Sequence, residues 1–345
     1  VVNVSSRYGS INYRDTRMAG LNNVELITDR PLKDNLKEME QVKKRFPDHA
    51  VVASLMLETR EEWQQVIRDV ENAGCDGLEL NFGCPHGMNE RGMGSAVGQN
   101  PKALKVITSW AKEAAKVPVI VKLTPNITDI TEPAMAAQEG GADAISLINT
   151  IQSVVGVDLD SFAPFPTVDG QGTNGGYCGP AVKPIAMNMV KNCAMKPGFD
   201  LPISGIGGIE NWRDAVEFML LGATSVQVCT AVMHYGFGII RELIPGLEEF
   251  MNDKGFKKIP DFAGKALPNV KPWEELNLEY KVIASIDEAS CIGCQLCYTA
   301  CEDGAHQAIG LPEDDSRIPY IIEENCVGCN LCSLVCPVEN CITME

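Results

Sequence analysis

The chain has 345 residues, 45% of them hydrophobic and 22% charged, enough for one large domain and a small one. A formal net charge of −17 argues against nucleic acid or an anionic membrane as a partner, and no apolar run approaches the eighteen or so residues of a membrane span. The ordinary meaning of that charge is an acidic soluble surface; the alternative is steering towards a basic redox partner.

No charged-then-apolar leader opens the chain, so the expected location is cytoplasmic. Fourteen cysteines crowded towards one end of a large chain then point to metal-bound thiolates in a reducing compartment rather than to disulfides.

In chain order, Val1–Val4 reads as the end of a strand. From about Ala50 to Met233, short β-branched runs alternate with amphipathic stretches. The runs are Val51–Leu55, Gly77–Phe82, Val117–Thr124, Ala144–Thr150, Pro202–Gly205 and Ser225–Thr230. Continuous apolar runs of this length suit strands covered on both faces in a parallel sheet. Thr59 with Glu62 predicts a capping box, and Asn100-Pro101 a cap followed by proline at the first helical position. Gly74-Cys75-Asp76, Gly141-Ala142-Asp143 and Gly222-Ala223-Thr224 repeat one punctuation: glycine ends a helix and the chain drops into the next strand.

Such βα repeats build either a (β/α)8 barrel or an open doubly wound sheet. Polar residues and glycine follow the strands, as in Asn81-Phe82-Gly83-Cys84, Lys122-Leu123-Thr124 and Asn149-Thr150, where a barrel carries its active site. Gly205-Ile206-Gly207-Gly208 comes late and does not match GxGxxG, which weakens a Rossmann reading. The expectation is an α/β TIM barrel over residues 1–254. Six strands are countable where a barrel has eight, so two βα units are expected to precede residue 1. A proline-punctuated linker at 255–279, with Pro260, Pro268 and Pro272, leads to a cysteine-rich α+β domain at 280–345.

Cys291, Cys294, Cys297 and Cys301 are spaced C-x2-C-x2-C-x3-C, and Cys326, Cys329, Cys332 and Cys336 repeat the pattern before Pro337. In two-cluster ferredoxins the fourth cysteine of each run crosses to the other [4Fe–4S] cluster. The expected sets are Cys291, Cys294, Cys297 and Cys336 for one cluster, and Cys326, Cys329, Cys332 and Cys301 for the other. Zinc is the alternative for paired C-x2-C elements, but its four ligands give no reason for a third step. Glu302 stands where a proline would follow Cys301, and Cys341, outside the frame, reads as a packing thiol.

A cysteine at a barrel strand end, such as Cys84, is placed for proton transfer beside a flavin. Taken alone, a packing role is the commoner reading, and it is the one given to Cys75, Cys193 and Cys178. The run NFGCPHGMNERGMGSAVGQ, then VKLTPNITDI, then the double cysteine frame resembles the dihydropyrimidine dehydrogenases. The likeness is greatest to the FMN- and iron–sulfur-bearing subunit of bacterial NAD-dependent enzymes, and it covers essentially the whole chain. Dihydroorotate dehydrogenases share the FMN barrel and an Asn-x-x-Cys-Pro element without the tail.

The resemblance implies FMN, two [4Fe–4S] clusters, and a partner flavoprotein bearing FAD that takes electrons from NADH. Cys84 would give a proton to pyrimidine C5 while reduced FMN gives hydride to C6; a thiol near its ordinary pKa of about 8.5 is mostly protonated at neutral pH. His86 would influence that loop, or else be a loop histidine held by backbone. Asn22, Asn81, Asn149 and Thr150 would hold the pyrimidine, since an amide offers both donor and acceptor to the ring. Asn81 would also touch the flavin, and Lys122 would stabilise the negative charge of its reduced form. Gly179, Gly207, Gly208, Cys229 and Thr230 would take the FMN phosphate and ribityl chain. Gly83 departs from the serine of the animal enzymes. The activity implied is reversible reduction of uracil or thymine; the alternatives are a dihydroorotate dehydrogenase-like activity and a ferredoxin-type carrier with a non-catalytic barrel.

Overall fold

The computed structural model describes the whole chain except residues 1–6, 14–15, 26–27, 29, 86–91, 305 and 314–315, together with the side chains of 13, 16 and 17. The expected strand end at Val1–Val4 and His86 therefore lie outside the described residues. The chain forms two compact units, Val1–Val270 and Lys271–Glu345.

The first unit opens with β1 (Tyr8–Tyr13), β2 (Thr16–Asn23) and α1 (Leu32–Arg45). It continues through β3 (Val52–Leu55), α2 (Arg60–Asn72), β4 (Gly77–Asn81), α3 (Ser95–Gly98), α4 (Pro101–Ala114), β5 (Val119–Lys122) and α5 (Thr131–Glu139). Next come β6 (Ala144–Leu147), β7 (Ile151–Ser153), β8 (Thr167–Val168), β9 (Gln171–Gly172), β10 (Gly175–Cys178) and α6 (Lys183–Ala194). β11 (Ile203–Ile206), α7 (Trp212–Leu220), β12 (Ser225–Gln227), α8 (Thr230–Tyr235) and α9 (Ile240–Lys254) complete it.

The strands β3, β4, β5, β6, β11 and β12 lie side by side in that order, every pair parallel. Each new strand is laid beside its predecessor and the order never reverses. That is the winding of a barrel wall, not of a doubly wound sheet. The six runs read as strands correspond to these six, most of them shortened at one or both ends and the last-but-one shifted by one residue to Ile203–Ile206.

The helices cover the sheet through faces dictated by spacing. α2 buries Trp63, Ile67 and Val70, and α4 buries Leu104, Ile107, Thr108 and Ala111, both one stripe of a 3.6-residue repeat. They pack on Leu78, Leu80, Val119, Val121, Ile145 and Leu147 of the strands. The capping box forms: the Glu62 N–H donates to Thr59 Oγ1 at 3.2 Å and the Thr59 N–H to Glu62 Oε2 at 3.1 Å. Asn100 caps α4 by accepting the Ala103 N–H at 3.2 Å.

The repeated glycine punctuation also has one structure. Gly74, Gly141 and Gly222 have φ of +93°, +88° and +108°, the region a side chain resists. Two residues on, the N–H groups of Asp76, Asp143 and Thr224 donate to the carbonyls of Val51, Val119 and Ile203 at 2.7–2.9 Å, setting each return onto the preceding strand. The two aspartates add side-chain clamps: Asp76 accepts from Val51 N–H and Lys43, Asp143 from Val119 N–H and Lys112.

A second sheet, not expected from the sequence, runs β1-β2-β10-β7. All its pairs are antiparallel. β7 and β10 come from the connection between β6 and α6, so the polar loop after β6 is tied to the hairpin of β1 and β2. The expected linker also needs correction. Residues 255–270 belong to the first unit: Phe262 is fully buried with Val216 and Met219, and the Gly264 and Ala266 N–H groups donate to the carbonyls of Met219 and Leu220. Pro260 and Pro268 fall at the starts of single helical turns, where a proline needs no N–H.

The second unit pairs β13 (Ala284–Ile286) with β16 (Ile342–Met344) around two matching cysteine loops. Between them lie α10 (Leu296–Asp303), β14 (Ile309–Gly310), β15 (Tyr320–Ile321) and α11 (Leu331–Val335). Among the described residues no helix is long and apolar enough to cross a membrane.

The Asp76 clamp is open to a pH test. The Val51 N–H, and after it Lys43, hold this carboxyl below the usual aspartate range. A lowered folded-state pKa contributes stability above the unfolded value of about 3.9 and loses it as pH falls. Melting temperature measured between about pH 6 and pH 3 is expected to fall less steeply in Asp76→Asn than in the parent.

Candidate active site

The C-terminal ends of the parallel strands and the inner edge of β2 and β10 enclose a cavity of about 710 Å³. Lys122, Asn149, Thr150, Gly179, Gly207, Gly208, Cys229 and Thr230, all expected at the site, line it. Asn22, Asn81 and Cys84 do not.

One end is a glycine cradle. Gly179, Gly207 and Gly208 have φ of +100°, +138° and +72°. A Cβ on Gly207 would stand 2.7 Å from Ala186 Cβ, and one on Gly208 would stand 2.9 Å from the Gly179 carbonyl oxygen. The loops after β10 and β11 are thus pressed together, with backbone free of side chains at the cavity wall. Cys178 sits beside it, accepting from Thr230 Oγ1 at 3.2 Å and facing the Leu21 carbonyl at 3.4 Å. Burial raises the Cys178 thiol pKa, so it stays protonated near neutrality.

The amide residues form one group. Asn149 Nδ2 donates to Asn81 Oδ1 at 2.7 Å, and Asn149 Oδ1 accepts the Thr150 N–H at 2.8 Å. Asn126 holds the loop from behind. Its Nδ2 donates to the Thr150 carbonyl at 3.1 Å and to Thr124 Oγ1 at 3.2 Å, and its Oδ1 accepts the Gln152 N–H at 2.8 Å. Asn22 lies on the opposite side of β2 from its cavity-lining neighbours Leu21 and Asn23, as a two-residue repeat requires. It is fully buried, accepts from Ser153 Oγ at 3.0 Å, and its Nδ2 has no partner. Such an orphaned amide donor is costly unless a ligand meets it.

Cys84 is 5% exposed, with its Cβ close to Gly94. The Ser95 N–H donates to its carbonyl at 3.0 Å, folding the loop back on the strand end. Gly83 lies against Asn149: a Cβ there would come within 2.2 Å of Asn149 Cβ. A serine at this position would therefore require Asn149 to move.

Sequence reasoning missed the polar network that joins Lys122 and Gln227 of the cavity wall. Glu79, two residues before Asn81, is buried and accepts from Lys122, Ser146 and Gln227. The signal was present, since Glu79 and Gln227 interrupt runs otherwise fit for a covered sheet. Cys75 and Cys193 are buried in the core, with burial pushing the Cys193 thiol up to about 12.

In the second unit, Cys291, Cys294, Cys297 and Cys336 stand around one cavity, and Cys301, Cys326, Cys329 and Cys332 around another. Each set takes three cysteines from one run and the last from the other. The loops match: Gly293 and Gly328 have φ of +63° and +70°, followed by Gln295 and Asn330 at +63° and +66°. Among the described residues no three His, Cys, Asp or Glu side chains close on the point that a single ion would occupy. Glu302 lies inside α10, which runs on past Cys301, whereas Cys336, extended before Pro337, ends α11. Cys341 also borders the first cavity, its thiol 3.7 Å from the Asp287 carbonyl oxygen.

These two units match two family models: dihydroorotate dehydrogenase over residues 15–251 and a 4Fe-4S dicluster domain over residues 284–344. The chain belongs to the dihydroorotate dehydrogenase family, with a 4Fe-4S dicluster domain after its barrel, and is an oxidoreductase. It is 42% identical over 342 residues to the NAD-dependent dihydropyrimidine dehydrogenase subunit PreA of Escherichia coli strain K12, covering 99% of this chain and 82% of the relative. It is 47% identical over 277 residues to the chloroplastic NADP(+) dihydropyrimidine dehydrogenase of Arabidopsis thaliana, covering 77% of this chain and 65% of that protein. To the catalytic subunit of dihydroorotate dehydrogenase B (NAD(+)) of Pyrococcus horikoshii it is 40% identical over 228 residues, 66% of this chain and 71% of the relative.

The contact of Gly83 with Asn149 predicts the effect of adding a methyl group. Gly83→Ala is expected to cost about 1–3 kcal/mol of stability, the usual penalty of overpacking, in a chemical denaturation series.

Proposed function

We propose that this chain is the pyrimidine-reducing subunit of an NAD-dependent dihydropyrimidine dehydrogenase, interconverting uracil or thymine and the 5,6-dihydro form. The observation that carries the reading is the joined group Asn81, Asn149 and Thr150 beside a glycine-cradled cavity. Amide donors and acceptors suit a neutral ring of alternating N–H and C=O groups.

The cavity fits FMN in its chemistry: a glycine cradle without side chains for a phosphate and a lysine for an electron-rich ring. Gly179, Gly207, Gly208, Cys229 and Thr230 would hold the phosphate and ribityl chain, with Lys122 and Asn81 at the ring. FMN bound there would supply hydride chemistry at pyrimidine C6. Cys84 would hold the proton for C5 on its Sγ, and His86 would shape the loop that carries it. The two cysteine-lined cavities would each hold a [4Fe–4S] cluster, relaying electrons from NADH on a partner flavoprotein bearing FAD. The setting is cytoplasmic, and pyrimidine breakdown is the process served.

A dihydroorotate-type substrate is the second reading, favoured by the Pyrococcus relative. Its carboxylate would need a free cation. Among the described residues the arginine and lysine side chains on the cavity wall are Arg7, Arg30 and Lys122, and each has a glutamate partner: Glu25, Glu38 and Glu79. A neutral ring meets that wall at no such cost, whereas a non-catalytic barrel gives no reason for the amide group.

With the flavin-loaded complex, Cys84→Ala is expected to lower uracil turnover by about 10²–10⁴-fold, the usual worth of a general acid, with flavin content retained. Unchanged turnover would remove Cys84 from the proton transfer. Dihydrouracil is expected to bleach the oxidised complex under conditions in which dihydroorotate does not; the reverse order would favour the second reading.

A further inference from the structure

Five neighbouring strands each send a polar side chain into one hydrogen-bonded network, Glu79 from β4, Lys122 from β5, Ser146 from β6, Ser204 from β11 and Gln227 from β12, of which Lys122 and Gln227 line the cavity. In an otherwise apolar barrel wall this is a built feature, because a buried carboxylate is tolerated only when paired and hydrogen-bonded.

The pairing is complete. Glu79 Oε1 accepts from Lys122 Nζ at 3.0 Å, and Glu79 Oε2 accepts from Gln227 Nε2 at 2.7 Å and Ser146 Oγ at 2.9 Å. Gln227 closes a triangle: its Oε1 accepts from Lys122 Nζ at 3.1 Å, while its Nε2 also reaches Ser204 Oγ at 3.3 Å. An ammonium has three N–H bonds. Two of those on Lys122 point to Glu79 and Gln227, which leaves one for the cavity that Lys122 and Gln227 line together. The side chains of Lys122 and Glu79 are only 16% and 11% exposed, so water screens the pair weakly.

We infer that Glu79 is a positioning and charge-balancing residue: it pins the Lys122 ammonium at the cavity wall and weakens the positive field that Lys122 presents there. An opposite charge at twice the distance cancels about half of the potential that Lys122 sets up there. This rests on the reading of the cavity as a flavin site, and it gives that site a setting for its redox equilibrium. Lys122 alone would favour the reduced, more negative flavin. Glu79 takes part of that preference away, leaving the flavin a stronger donor to the pyrimidine ring.

The test measures the midpoint potential of bound flavin in the holo-protein by spectroelectrochemistry, with flavin content assayed alongside. Glu79→Gln removes the charge at equal size and is expected to raise the potential by a tenfold or greater change in the redox equilibrium, about 30 mV for a two-electron couple. Gln227→Glu adds a charge beside Lys122 and is expected to shift it the other way. The double variant E79Q/Q227E, which moves the charge across the triangle, is expected to return towards the parent value. Retained flavin with an unmoved potential in both single variants, or shifts of the same sign, would overturn the inference alone. A parent protein that binds no flavin would overturn the flavin site itself. If Glu79→Gln does not fold, the downward shift in Gln227→Glu decides the matter by itself.

Discussion

Six parallel strands hydrogen-bonded in sequence order all end at the same edge, and every functional feature of the first unit follows from that constraint. A strand covered on both faces is apolar along most of its length, so polar groups collect where the strands stop, and one inside a strand, such as Glu79, must be hydrogen-bonded. Asn81, Lys122, Asn149 and Gln227 are separated by up to 146 residues in the chain, yet they reach one rim because β4, β5, β6 and β12 point the same way. The aspartate and glycine returns at Gly74, Gly141 and Gly222 occupy the opposite end and hold each repeat in register.

The four-stranded antiparallel sheet has a different task. It takes the long connection after β6, which would otherwise be free loop, and fastens it to β2. That fastening buries Asn22, aligns Thr150 with its support from Asn126, and brings Gly179 against Gly208. The site is thus assembled between a rigid strand edge and a strapped loop. The short distance from Gly83 to Asn149 shows how little slack remains.

The second unit reaches its geometry by repetition. Two cysteine runs with the same glycine turn and the same left-handed residue after it make two loops of one shape, and each cavity borrows its fourth thiol from the other run. Exchange of this kind ties the two halves together without a large apolar core, which a unit of this size lacks room to build.

Local rules were readable along the chain: the capping box at Thr59, the cap at Asn100, six covered strands, and a repeated cysteine spacing that gives two loops of one shape. These depend on contacts between residues a few positions apart, or on a period that one strand or helix shows by itself. The second sheet was not readable, because the β1–β2 hairpin joins β7 and β10 only through the β2–β10 pairing, between residues more than 150 positions apart. Nor was the attachment of residues 255–270, where prolines suggested a linker and only the barrel's surface shows what Phe262 packs against. The ring of hydrogen bonds around Glu79 belongs to the same class. Sequence shows a charged residue in an apolar strand; only the closing of five strands shows that Lys122, Ser146 and Gln227 are there to receive it.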